Sequence, residues 1–133
     1  DTARITSRTR PWSEPSATTV WSTLQNLGIA ERTILWNAFP WHPHKPGNLH
    51  SNRTPTTEER ELGLPVLELL LRAHKGATVF AVGRNAEWSL HSIGRNAIPL
   101  RHPSMGGAGL FRKQLADALR LSSGQQLRRQ LID

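Results

Sequence analysis

Apolar residues along this chain alternate between helical and extended patterns. Ala17, Val20, Trp21, Leu24 and Leu27 recur at steps of three and four, which puts them on one stripe of a helix, with Ser16 as candidate cap and Gly28 as stop. Ile34 and Leu35 centre a short strand expected over residues 33–37. Thr56 and Glu59 have capping-box spacing and open a second helix, with a break or kink expected at Gly63 and Pro65 and an end near Ala73. Ala77 to Val82 reads as a buried strand, Arg84 to His91 as a short helix and Ala97 to Leu100 as a further strand. Leu110, Phe111, Leu115, Ala118 and Leu119 form the last helical stripe. The polar tail 122–133 is expected to fray into disorder.

This helix–strand alternation predicts an α/β fold with a parallel sheet flanked by helices. Ligands of such sheets bind beyond the carboxyl ends of the strands. Two polar clusters fall at such ends: Trp36 to Pro43, and Arg101-His102-Pro103-Ser104. The predicted topology carries both to one rim. Residues 1–15 are polar, proline-rich and irregular, and residues 38–55 hold too many prolines for regular structure. A loop that long in a compact domain is a place to look for function.

Composition narrows the chemistry. With 133 residues, 37% hydrophobic and 20% charged, the chain is the size of one globular domain and has material for a core. No apolar run approaches the length of a membrane span, so no membrane partner is expected. The absence of cysteine excludes disulfides, thiolate zinc sites and cysteine-ligated iron–sulfur clusters within the chain, and favours an intracellular, cytoplasmic setting. Seventeen Lys and Arg against ten Asp and Glu leave a formal charge of +7, and fourteen of the seventeen are arginine. Guanidinium forks match phosphate geometry, so a polyanion is the natural partner. His42 and His44 can point the same way in an extended stretch, but no Asp or Glu lies close to complete a zinc site, and no metal or other cofactor is expected.

The two rim clusters also carry a family resemblance. His102-Pro103-Ser104, followed by Met105 and Phe111, resembles the HPS motif of the uracil-DNA glycosylase superfamily, placed between last strand and last helix. Asn37 at a strand end, then Pro40, Pro43 and Asn52-Arg53-Thr54-Pro55, is similar to the base-reading Asn and proline-rich loop of that superfamily's iron–sulfur branch, although the cysteines of that branch are absent. Val79 to Ala86 resembles the strand–glycine–helix step between them. The likeness runs in order over roughly residues 16–120. It implies a three-layer α/β sandwich spanning 1–133, monomeric and acting on DNA. The family's opening strand and its acid-bearing motif are not recognisable in residues 1–33, where Asp1, Glu14 and Glu31 stand in other contexts. An N-terminally partial domain is therefore expected, with little base excision by this chain alone.

The resemblance implies a division of labour. Breaking a base–sugar bond leaves negative charge on the departing base, which must be taken out of the stack, read and stabilised. Asn37 would read the base edge, because an amide both donates and accepts. His102 would be catalytic, donating to the base oxygen as charge builds there. Phe39 and Ser104 would contact substrate, Ser104 through phosphate. Lys45, Arg53 and Arg101 would hold DNA phosphates, and Met105 would fill the vacated stack. From the residues alone, Asn37 also fits an Asx turn, His102 an ordinary loop, Met105 a packing position and the cations a solvated face. Two other functions fit the same sequence: a non-catalytic nucleic-acid-binding module on this fold, and an unrelated α/β protein that binds a phosphorylated ligand at Gly106 to Gly109. The latter segment lacks the Lys-Ser/Thr ending of a phosphate loop.

Overall fold

The computed structural model describes residues 14–130. Most of the irregular lead-in, and the end of the polar tail, lie outside those residues. In chain order the elements are helix α1 (Pro15–Asn26), a 3-10 turn (Ala30–Arg32), helix α2 (Thr57–Ala73), strand β1 (Phe80–Val82), helix α3 (Arg84–Ser92), strand β2 (Ile98–Leu100) and helix α4 (Ala108–Gln130). The fold is α/β. The chain divides into two compact units, Ile34–Leu100 and the flanking pair Asp1–Thr33 with Arg101–Asp133.

The inner unit is a parallel β–α–β crossover backed by a helix. β1 and β2 pair in parallel, with Phe80 opposite Ile98, Ala81 opposite Pro99 and Val82 opposite Leu100. Leu67 of α2, Ala81 of β1 and Leu90 of α3 form the buried centre, and Leu71, Val79, Ala86, Ile93 and Ala97 pack around it. Arg60 ties α2 to α3. Its guanidinium lies 4.5 Å from the centre of the Trp88 ring and donates to Asn85 Oδ1 at 3.3 Å.

The α2 start follows the sequence expectation. The Thr56 hydroxyl accepts from Glu59 N–H, and the Glu59 carboxylate accepts from Thr56 N–H. The expected break at Pro65 does not occur, since α2 runs through it without interruption. Proline forfeits one ladder bond, but Gly63 and Leu67 are buried four residues apart on one face, and that packing holds the helix together. Gly63 is required there. A Cβ on it would stand 2.9 Å from the Ala38 carbonyl oxygen, so its absence lets the 38–40 loop lie directly on α2.

In the outer unit α1 packs against α4, with Leu24, Phe111 and Leu115 buried. The cap of α1 is Glu14 rather than Ser16. Glu14 accepts from the N–H groups of Ser16 at 3.1 Å and Ala17 at 2.6 Å. Pro15 suits the first helical position because the N–H it lacks would have had no partner.

The strand expected over residues 33–37 is not formed. Among the described residues the sheet has two strands only, and Ile34, Leu35 and Trp36 are exposed. Apolar character favours burial, but a strand exists only where a neighbour accepts its backbone bonds. None of the described strands pairs with this run.

Candidate functional site

The end of β2 passes directly into Arg101, and seven residues then turn the chain into α4. Four hydrogen bonds hold this loop, one to α4 and three within the loop itself. Arg101 N–H donates to Gln114 Oε1 of α4 at 2.7 Å. The Arg101 guanidinium donates to the carbonyls of His102 at 2.9 Å and Met105 at 3.5 Å. Gly107 N–H donates to Ser104 O at 3.0 Å. The fold tolerates only glycine at 107, because a Cβ there would lie 2.1 Å from the His102 carbonyl oxygen. Of the glycines after the motif, Gly107 thus serves close packing beneath the loop, while Gly106 takes a left-handed φ of +77°.

Within the loop, Ser104 governs the state of His102. Ser104 N–H donates to His102 Nδ1 at 3.1 Å, and Ser104 Oγ stands 2.6 Å from the same nitrogen. A backbone N–H can only donate, so Nδ1 presents its lone pair and the hydroxyl donates to it as well. In the neutral ring the proton then resides on Nε2. His102 is half-buried and Pro103 between them is buried, which limits the motion of both partners.

Met105 is the outlier of the loop. Its φ is +53°, the one positive value among described non-glycine residues, and its side chain is 92% exposed. A left-handed backbone costs an L-residue about 1–2 kcal/mol, and displaying a thioether to water returns nothing to the free protein. Strain of this kind gathers at functional sites.

Glu14, at the start of α1, is held below the usual carboxylate range, first by the Ala17 N–H, then by that of Ser16, with a smaller attraction from His102. That attraction brings the cap of α1 and the His102 loop of the same unit into one another's field.

In the inner unit Asn37 is exposed and its amide makes no hydrogen bond to the described residues. Phe39 follows, with its ring 5.3 Å from that of Trp41. Lys45 opens a tight turn closed by Asn48 N–H donating to Lys45 O at 3.0 Å. Arg53 is engaged through all three guanidinium nitrogens. Nη1 and Nη2 donate to the two carboxylate oxygens of Glu59 at 2.7 and 2.6 Å, Nε donates to His44 O at 3.0 Å, and Nη1 also reaches Thr54 O. This pairing, with the Thr56 N–H, holds the Glu59 carboxyl down at about 2. Arg53 thereby fastens the proline-rich loop to the first turn of α2.

The chain thus presents an exposed Asn37 before a proline-rich loop, and a His-Pro-Ser turn with a fixed imidazole between the last strand and the last helix. The description of the uracil DNA glycosylase superfamily matches residues 4–120. The chain belongs to the uracil-DNA glycosylase superfamily. No curated protein and no solved structure gives a significant match. Members of this superfamily act on DNA, and no helix among the described residues of this glycosylase-superfamily chain is long and apolar enough to cross a membrane. Among the described residues no group of three or more His, Cys, Asp or Glu is placed to hold a metal ion.

His102, Ser104, Arg101 and Met105 therefore stand together in one unit of the superfamily chain, and Asn37, Phe39, Lys45 and Arg53 belong to the other. Three participants escaped the sequence reading. Gln114 sits nearly two helical turns inside α4 and gives no motif signal. Glu59 was visible only as a cap residue, although its carboxylate serves Arg53 and Thr56 at once. Gly107 had a visible signal in the paired glycines, and its own meaning is the close approach of His102 O.

Proposed function

We propose that this protein removes uracil, or a related deaminated base, from DNA by hydrolysing the bond between base and sugar. The observation that carries the reading is the His102–Ser104 pair, which holds Nδ1 as an acceptor and leaves the proton on Nε2. A neutral imidazole so held is a fixed N–H donor for an oxygen that gains negative charge only as the bond breaks. Asn37 reads the base, donating its NH2 to one edge atom and accepting from the neighbouring N–H. Met105 enters the stack left open by the extruded nucleotide. Lys45 binds phosphate. Arg101 and Ser104 adjoin the same backbone while bracing the loop, and Arg53 supports the phosphate-facing loop from behind. The protein works as a monomer wherever its DNA substrate resides.

The test is uracil-selective recognition. Duplexes with one non-cleavable 2′-fluoro-deoxyuridine should outcompete the thymidine duplex, and Asn37→Ala should abolish that preference. Excision is measured in single turnover on the full encoded protein. Equal affinity for both duplexes, with no excision, overturns the proposal.

A second reading keeps the pocket and drops the chemistry. It is favoured by Glu14, the described acid in the field of His102, whose two carboxylate oxygens are committed to capping α1. A binding module of this kind would show the uracil preference and leave the glycosidic bond intact in the full encoded protein.

A further inference from the structure

A second group of flat rings lies wholly within the inner unit. Phe39 and Trp41 are paired at 5.3 Å with their planes tilted by 55°, and His42 and His44 are stacked at 6.0 Å and 27°. These four side chains, with Pro43 and the Arg53–Glu59 pair, line a cleft of about 440 Å³. That volume falls in the range of small-ligand sites. Trp41 is 53% exposed, so a large indole face is offered to water. The rings do not hang on a free loop. Pro40, Pro43 and Pro46 restrict the backbone between them, and Arg53 bonds the His44 carbonyl and α2 together.

Polarity and charge decide what such a cleft accepts. His42 Nε2 faces Leu49 O at 3.2 Å, and His44 Nδ1 faces Lys45 O at 3.0 Å. A carbonyl only accepts, so in the neutral rings these nitrogens carry the protons, and His42 Nδ1 and His44 Nε2 are left as acceptors for ligand N–H groups. The one carboxylate in the lining, Glu59, is neutralised by Arg53 through two bonds. Lys45, next to His44, has no ion pair among the described residues. The surroundings therefore favour a flat ring with N–H groups attached to negative charge.

We propose that the cleft between Phe39 and His44 is a stacking subsite for an unpaired nucleotide of the DNA strand, distinct from the base to be excised. This rests on the DNA-directed reading above and adds a preference for single-stranded or locally opened substrate. Aromatic faces take any base in this manner, and a cation beside them takes the phosphate.

The experiment scans 2-aminopurine through a uracil-containing single strand and its duplex, reading anisotropy for affinity and 2-aminopurine emission for stacking. The wild-type chain should bind the single strand more tightly than the duplex and quench 2-aminopurine at one position other than the uracil. Trp41→Ala should weaken single-strand binding about 5- to 150-fold, remove that quenching, and leave duplex affinity within about twofold. Trp41→Phe should restore most of both signals, and His44→Ala should reproduce the selective loss in a variant that keeps the indole. Unchanged single-strand binding by Trp41→Ala and His44→Ala, or equal losses on single strand and duplex, overturns the subsite while leaving the glycosylase reading intact. Failure of the wild-type chain to bind any DNA overturns both.

Discussion

Ser104 donates its backbone N–H to His102 Nδ1 across 3.1 Å, with its hydroxyl 2.6 Å from the same nitrogen. One residue thus sets both the tautomer and the orientation of the imidazole. In the full encoded protein, His102→Ala should lower single-turnover uracil excision on the order of a hundredfold to a thousandfold, the usual cost of removing one donor to a developing anion. Ser104→Ala keeps the backbone donor and should cost about 0.5–1.5 kcal/mol, or roughly two- to twelvefold. Equal losses in the two variants would mean that Ser104 does more than hold the ring.

Asn37 is expected to set which base is accepted. A carboxylate in its place can only accept, so Asn37→Asp should move preference away from uracil toward bases that present an N–H at that edge. Single-turnover excision of uracil, hypoxanthine and mismatched thymine measures this. An unchanged order of the three would remove Asn37 from the pocket.

The Arg53–Glu59 pair predicts an acid-sensitive loop. Glu59 titrates near 2 in the folded chain against an ordinary 4.5, so the folded state binds fewer protons between these values. The pair's contribution is present above about 4.5 and is lost as pH falls toward about 2. The Arg53 Nε–H resonance, bonded to His44 O, should shift and broaden through that window. Glu59→Gln should abolish the transition, and its persistence in that variant would assign it to another group.

Glycine 107 should tolerate no side chain. Gly107→Ala places a Cβ 2.1 Å from a backbone oxygen, whereas Gly63→Ala meets Ala38 O at 2.9 Å. Overpacking costs about 1–3 kcal/mol, and the 107 variant should lie at or beyond the upper end and the 63 variant lower. Thermal melts of the two variants give the order directly.

DNA affinity should fall steeply with salt, as expected for a chain of charge +7 releasing counterions from phosphate. Lys45→Glu should weaken binding to all sequences alike and reduce the slope of log K against log salt by about 1. A salt-independent affinity would argue against backbone contact.

Much of this was legible where the signal is local. Thr56 and Glu59 meet through a spacing that the chain displays outright, and β1 and β2 announce themselves as apolar runs bounded by turn formers. The His102 motif was legible as residues, but its tautomer was not, because that depends on where one backbone N–H points. Residues 33–37 misled because apolar character reports a wish for burial and says nothing about a pairing neighbour. Pro65 misled in the opposite direction: the burial of Gly63 and Leu67, invisible to a rule about single residues, outweighed one lost bond. The task of Arg53 was hidden because a guanidinium suited to phosphate is equally suited to a carboxylate six residues away.

The division of the chain has a consequence for its synthesis. α1 is made early, but the helix it packs against begins only at Ala108, after the whole of Ile34–Leu100. The inner unit closes through shorter loops and can gather its buried centre while still near the ribosome. Throughout that time α1 waits with Leu24 uncovered, and its twelve residues are too few to hold a helix well in water. Among the described elements the inner unit can thus gather first, and α1 gains its packing against α4 only when α4 has emerged.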